Sequence, residues 1–190
     1  MPRDDQFEQS RVQVTMAVTD CLHRYARAVD RCDWDSVRAC YHDNAFDHHG
    51  AYRGGVDGLI EDMKVRHAQL DSSVHFITNV LVDLPDPDVA LVESYCLCYL
   101  RRREQDASGA QQLTTVKCRY LDKFTPDAVG RWRIASRMVV FDELCVGEIR
   151  DSRPQAATRS ERDRKDPLWV FLDRGADWNS VDYAAGSKRQ

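Results

Sequence analysis

Between about Gln9 and Asp30, apolar residues recur at Val14, Ala17, Val18, Cys21, Leu22, Tyr25, Ala26 and Val29, the three-and-four spacing of one helix face. The pattern predicts an amphipathic helix. Asp33 stands where a side-chain oxygen can cap a second helix carrying Trp34, Val37, Ala39, Cys40 and Tyr41, and Asp43-Asn44 supplies turn chemistry to end it. Ala45 to His48 reads as a short strand, the glycines from Gly50 to Gly55 as a turn, and about Val56 to Leu70 as a third helix.

From Ser72 the period changes to two. Runs near 73–84, 88–103, 111–125 and 130–143 are rich in Val, Ile, Tyr, Phe and Thr and predict four long strands. Their connections, Pro85-Asp-Pro87, the polar stretch around Gln105 to Gly109, and Thr125 to Gly130, suit hairpins and are too short for parallel crossovers. The order predicts an α+β fold in which a strongly curved antiparallel sheet wraps against helices on one face, leaving a concave pocket between them. After Leu144 the chain turns charged and arginine-rich through about Lys165, with one apolar patch at Pro167 to Leu172. The expected organisation is a flexible N-terminus at 1–7, an α+β domain at 8–145, and a charged extension at 146–190. That extension carries a short docking segment near 166–172 and a frayed end from Ala184 to Gln190.

A chain of 190 residues fits one domain plus a tail. Its 27 basic and 31 acidic residues are interspersed and sum to a net charge of -4, so no footprint for nucleic acid or an anionic membrane surface appears. The expected partner is a small molecule. With no apolar signal-like run at the N-terminus and no stretch of membrane-spanning length, a cytoplasmic protein is expected. Seven cysteines is an odd number, and most sit at apolar positions, so buried free thiols are the simpler expectation than a disulfide framework.

The candidate chemistry lies where polar residues interrupt core patterns. Asp30 closes the first helical run and His75 sits inside the strand-like run from Ser73 to Asn79. A neutral imidazole can take a proton from carbon only if its other nitrogen donates to a fixed acceptor, a role Asp30 can fill. The carboxylate would also stabilise the imidazolium as it forms. A helix C-terminus disfavours a carboxylate, so stability alone explains Asp30 poorly. The plainer alternative is a satisfied strand histidine and a cap or turn aspartate. Arg137 is out of pattern on a face shared with Ala135, Val139 and Phe141, and suits either an anionic substrate group or a carboxylate on a neighbouring strand. Asn79 and Tyr52 suit either a polar contact in the pocket or ordinary strand and loop packing. Trp34 and Tyr41 are assigned to the core, and Arg101 to Arg103 to a solvated strand end.

His48 and His49 adjoin Asp47, but neighbours on a strand face opposite ways, and one histidine, taken as His48, is expected at the pocket mouth instead. Cys96 and Cys98 share a face without a second ligand pair at zinc spacing. No metal is expected. Gly54-Gly55 lacks the context of a nucleotide signature, and no cysteine has a clear histidine partner, so no cofactor is expected either.

The run from Arg24 to Ala45 (RYARAVDRCDWDSVRACYHDNA), with Asp47-His-His-Gly-Ala-Tyr-Arg-Gly54, Val74-His75-Phe76, Trp132-Arg-Ile134 and Arg137-Met-Val-Val-Phe-Asp142, closely resembles SnoaL-like proteins of the nuclear transport factor 2-like superfamily. The resemblance covers roughly residues 8 to 145. It implies a cone-like fold with a deep pocket, and places the chain nearest the scytalone dehydratase, bile-acid dehydratase and dehydrochlorinase branch. In that branch an aspartate at the end of the first helix holds a histidine that removes a substrate proton, roles that fall on Asp30 and His75. Tyr25 resembles the tyrosine of the bile-acid dehydratases and would be an acid or hydrogen-bond donor. The expected function is a cofactor-independent dehydratase or isomerase acting on a small, largely apolar cyclic substrate. The alternatives are a module that binds small ligands without chemistry, and a hydrolase in which Asp30 and Arg137 work with a second carboxylate, Asp47 or Asp142. The resemblance also implies a homo-oligomer, dimer or trimer, with the open sheet face covered.

Overall fold

The computed structural model describes residues 5–154 and 156–174. Helix α1 (Asp5–Asp30) and the short α2 (Trp34–Ala39) lead into strands β1 (Tyr41–His49) and β2 (Tyr52–Gly55), followed by α3 (Val56–Ala68). Four long strands come next: β3 (Leu70–Asp86), β4 (Val89–Gln105), β5 (Gln111–Pro126) and β6 (Trp132–Ile149). A last helix, α4 (Pro167–Arg174), lies in the extension. The six strands form one curved, unclosed sheet in the order β2-β1-β6-β5-β4-β3. Register shifts in β3 near Thr78, in β4 near Arg101 and in β6 at Ala135 and Asp142 mark the irregularities at which such ladders bend.

The predicted helix stripe is the buried one. Val18, Leu22, Tyr25 and Val29 face the sheet and meet Leu59 and Met63 of α3 and Tyr120, Phe124 and Ile134 of the strands. Asp33 caps α2, accepting from the Ser36 amide at 3.4 Å and the Ser36 hydroxyl at 2.8 Å. The helices and hairpin meander are as the pattern predicts, with three differences.

First, α2 stops at Ala39. The Cys40 amide donates to Val37 O, and Tyr41 opens β1 against Ile134 of β6. Asp43-Asn44 is strand and not turn, inside the register shift between Tyr41 and Phe46. Second, the turn expected over Gly50 to Gly55 is confined to Gly50-Ala51, with Gly50 at φ +65°, and Tyr52–Gly55 pairs with β1 as a strand. Third, the sheet is not wholly antiparallel, because β1 and β6 run parallel. The rest of the domain is their crossover, so short loops elsewhere gave no sign of it.

β6 also runs to Ile149, pairing with Gln111 of β5, so regular sheet continues past the boundary expected at 145. The Arg101 side chain is buried between Asp71 (2.5 Å) and Asp151 (3.8 Å), so of the strand end expected to be solvated only Arg102 and Arg103 are exposed. All seven cysteines are free. Among the described residues no helix is long and apolar enough to cross a membrane. The segment expected to be flexible at 1–7 lies partly outside the described residues, with α1 already helical at Asp5, and the frayed end at 184–190 lies wholly outside them.

Asp166 fastens the extension to the domain. One carboxylate oxygen accepts from the Leu168 amide at 3.0 Å, opening α4; the other accepts from the Glu161 amide at 2.8 Å and pairs with Arg31 at 3.2 Å. Removing a cap and a buried acceptor together costs about 1–2 kcal/mol. Asp166→Ala is therefore expected to speed tryptic cleavage between Arg159 and Lys165 while the thermal midpoint of the domain stays put; cleavage as slow as in the parent would contradict this anchoring.

Candidate active site

α1 ends in a tight reversal. The Asp33 amide reaches back to Ala28 O at 2.9 Å and the Cys32 amide to Val29 O at 3.2 Å, with Cys32 at φ 52° in the left-handed region. That closure fixes Asp30 at the last helical position, against β3. Its carboxylate accepts three hydrogen bonds from one stretch of strand. Oδ1 takes the Ser73 hydroxyl at 2.7 Å and His75 Nδ1 at 2.6 Å, and Oδ2 takes the His75 amide at 3.0 Å. The predicted pair is thus joined, and His75 Nδ1 is the nitrogen that donates.

Among the described residues His75 Nε2 has no protein partner, and His75 lines a cavity of about 250 Å³ inside the cone. Burial works against a charged imidazole here, but the Asp30 hydrogen bond and charge outweigh it, and the His75 pKa is raised above the ordinary value. Tyr25 lines the same cavity, and burial pushes its hydroxyl pKa up, so it stays protonated. Val29, Met63, Leu100, Val116, Val139 and Phe141 make most of the remaining wall apolar.

The other predicted residues are placed unequally. Tyr52 lines the cavity, its hydroxyl donating to Gly55 O at 2.6 Å. A Cβ on Gly54 would stand 2.7 Å from that hydroxyl, so the glycine makes room for the ring. His48 does not line the cavity; it accepts from Arg53 Nε at 2.9 Å, and the next residue, His49, is the one that faces in. The strand alternation that separates the two histidines runs inward through Ala45, Asp47 and His49. Asn79 is exposed at the β3 irregularity, with φ 49°, away from the cavity. Its left-handed backbone accounts for an asparagine there without a ligand.

Arg137 is fully buried behind the cavity, in a bidentate pair with Asp122 of β5, both bonds 2.7 Å. Its guanidinium lies over the rings of Tyr25 at 4.4 Å and Tyr120 at 4.1 Å. The carboxylate alternative is the one realised, and Arg137 is not among the cavity residues. Asp47 is buried and accepts from the Tyr41 hydroxyl at 2.7 Å; Asp142 pairs with Arg119 at 3.4 Å. Neither lines the cavity.

Several residues at the site were not singled out from the sequence. Ser73 braces Asp30. His67 lines the cavity, stacks edge-on against Trp34, and has its pKa pushed down to about 3 by burial and the neighbouring Arg162 charge. It continues the buried stripe Val56, Leu59, Ile60, Met63 at the next helical step, a spacing that could have revealed it. Asp62 and Arg66, paired at 2.8 Å, also line the cavity. Arg162, from the extension, donates to Asp30 O at 3.3 Å, His67 O at 2.9 Å and His67 Nδ1 at 2.5 Å. No local pattern could indicate a contact across 132 residues.

Residues 10–138 match the profile of the SnoaL-like domain. No curated protein matches the chain in sequence. Among solved structures, a candidate scytalone dehydratase from Novosphingobium aromaticivorans superposes with a TM-score of 0.66 at 14% identity, covering 80% of this chain and 99% of its own. A type 3 hexachlorocyclohexane dehydrochlorinase from Novosphingobium barchaimii gives 0.64 at 17% identity, over 77% and 99%. A candidate aromatic ring hydroxylase from Novosphingobium aromaticivorans gives 0.62 at 22% identity, over 73% and 94%. At these identities the likeness is one of fold.

Truncating one partner of a buried ion pair leaves the other charge uncompensated, at a cost of about 3–5 kcal/mol. Asp122→Ala is expected to lose that much stability in denaturant unfolding. The charge-free pair Asp122→Leu with Arg137→Met should recover most of it, and a double variant no better than Asp122→Ala would contradict a structural role for the pair.

Proposed function

The chain belongs to the SnoaL-like domain family, and on that premise we propose that it is a small-molecule lyase or isomerase in which His75 takes a proton from carbon and Asp30 holds the imidazole for that task. The observation that carries this reading is the 2.6 Å bond between His75 Nδ1 and Asp30 in a histidine that lines a mostly apolar cavity. With Nδ1 committed, Nε2 carries the lone pair. The proton next to a carbonyl or similar activating group passes to Nε2, and the electron pair forms a double bond as a leaving group departs from the neighbouring carbon. Tyr25 can donate a hydrogen bond or proton to that leaving group or to the activating oxygen. If the proton instead returns at another carbon, the same residues perform an isomerisation. The dehydratase and dehydrochlorinase neighbours are compatible with the elimination branch.

At about 250 Å³ the cavity falls just below the usual range for drug-sized ligands, roughly 300–1,000 Å³. A compact cyclic substrate fits this better than a steroid. The hydrolase alternative has little to support it, since Arg137 is sealed against Asp122 and neither expected second carboxylate lines the cavity. Exposed Phe76, Tyr95, Tyr99, Leu121 and Met138 on the outer sheet face support a homo-oligomer. Seven unpaired thiols support a reducing compartment such as the cytoplasm.

Turnover is best sought among cyclic carbonyl compounds with a β-hydroxyl or β-halide. His75→Ala and Asp30→Asn are each expected to slow the chemical step by at least about a hundredfold with the fold intact. Full activity in either variant would remove the assignment. Because His75 acts as a neutral base and its pKa is raised, kcat/KM should climb with pH through an inflection above the ordinary histidine value of about 6.5. Asp30→Asn should move that inflection downward, and an inflection that stays fixed would show that another group controls the profile.

A further inference from the structure

A hollow larger than the cone cavity is a groove of about 980 Å³ between the C-terminal extension and the nearby ends of α1, α3, β3 and β4. Nine Lys or Arg residues line it against four Asp or Glu; with Asp166 and Glu61, which pair with Arg31 and Lys64 of that lining, the local excess is +3 in a chain whose net charge is -4. Among the described residues, Arg103, Arg150, Arg159, Arg162 and Lys165 have no carboxylate partner. Arg103, Arg150 and Arg162 bond only neutral acceptors. Arg101, nine-tenths buried in the groove wall, leaves its Nε without an acceptor. Concentrating like charges in this way is unfavourable unless an anion joins them. A single carboxylate would neutralise only part of the excess, whereas a phosphate or diphosphate brings two or more charges and several acceptor oxygens suited to guanidinium forks.

The groove adjoins the dyad. Ser73 lines it while donating to Asp30, and His67 lines both the groove and the cone cavity. Much of the groove comes from the extension, beyond the family match at residues 10–138. We propose that this groove seats a phosphate-bearing handle on the substrate, with the apolar reacting end passing His67 into the cone cavity. The proposal names the substrate class for the reading above and rests on that reading only for the reacting end. Phosphate binding itself does not depend on it.

Calorimetry with pyrophosphate at low ionic strength tests the groove. Saturable binding is expected, weakened at least about tenfold in Arg103→Glu/Arg159→Glu and unchanged in His75→Ala, with thermal melting to confirm that both variants fold. Phenylalkyl phosphates of increasing chain length should bind at least about tenfold more tightly than pyrophosphate. Val139→Trp, which fills the cone cavity, should abolish that gain and leave pyrophosphate binding alone. No saturable pyrophosphate binding, or binding indifferent to the charge reversal, would overturn the groove as an anion site and leave the dyad's role standing. Pyrophosphate binding with no gain from the apolar chain would overturn the handle, because the groove would then serve a free phosphate-type anion. Loss of turnover in His75→Ala bears on the dyad alone.

Discussion

A carboxylate buried at the C-terminal end of a helix is the constraint on which the site depends. The helix dipole and the low local dielectric both oppose a charge at Asp30, and three donors within three residues of β3 offset them. Two of those donors belong to His75, so the interaction that makes the buried charge tolerable also fixes the imidazole. A slip of β3 by one residue would turn Ser73 and His75 to the opposite face and leave Asp30 without its main partners. The reversal at Cys32 and Asp33, which sets where α1 stops, is therefore part of the same device. Arg162 completes it from outside by taking the carbonyl oxygen of Asp30, a group at the helix end that lacks an onward helical partner.

The second buried charge has a different role. Arg137 and Asp122 sit opposite one another on β6 and β5, flanked by Tyr25 and Tyr120, and their bonds run along the sheet and not toward the cavity. The pair fills the space behind Tyr25 and holds that ring where it lines the cavity. A polar layer below and an apolar wall above frame His75 and Tyr25, the groups to which the proposed function gives the proton transfer. Asp62, Arg66, His49 and His67 stand around them, and the Arg162 charge and burial together keep His67 neutral at physiological pH.

Much of this was legible in the sequence because it follows from periodicity. The α1 stripe, the switch to period two after Ser72 and the hairpin loops fix an α+β fold, and Asp30 and His75 stand out as polar residues inside core patterns. The choice between His48 and His49 was harder. Alternation says that only one faces inward, but the inward parity of β1 depends on its partner β6, far along the chain and parallel to it. Arg137 was legible as an anomaly, yet its partner Asp122 lies on another strand, and only the register of β5 against β6 decides between substrate and ion pair. Asn79 followed backbone geometry and not ligand chemistry. The groove was least legible, because it forms only when the extension folds back over residues more than forty positions away.

The central claim is that Asp30 locks the His75 tautomer with Nδ1 protonated and Nε2 free. Nitrogen-15 NMR of imidazole-labelled protein, with the His75 signals assigned by comparison with His75→Ala and recorded well above its pKa, measures this directly. The account predicts a protonated Nδ1 and a bare Nε2 in the parent protein, with that preference lost in Asp30→Asn. A His75 protonated at Nε2, or an even mixture of tautomers in the parent protein, would contradict it.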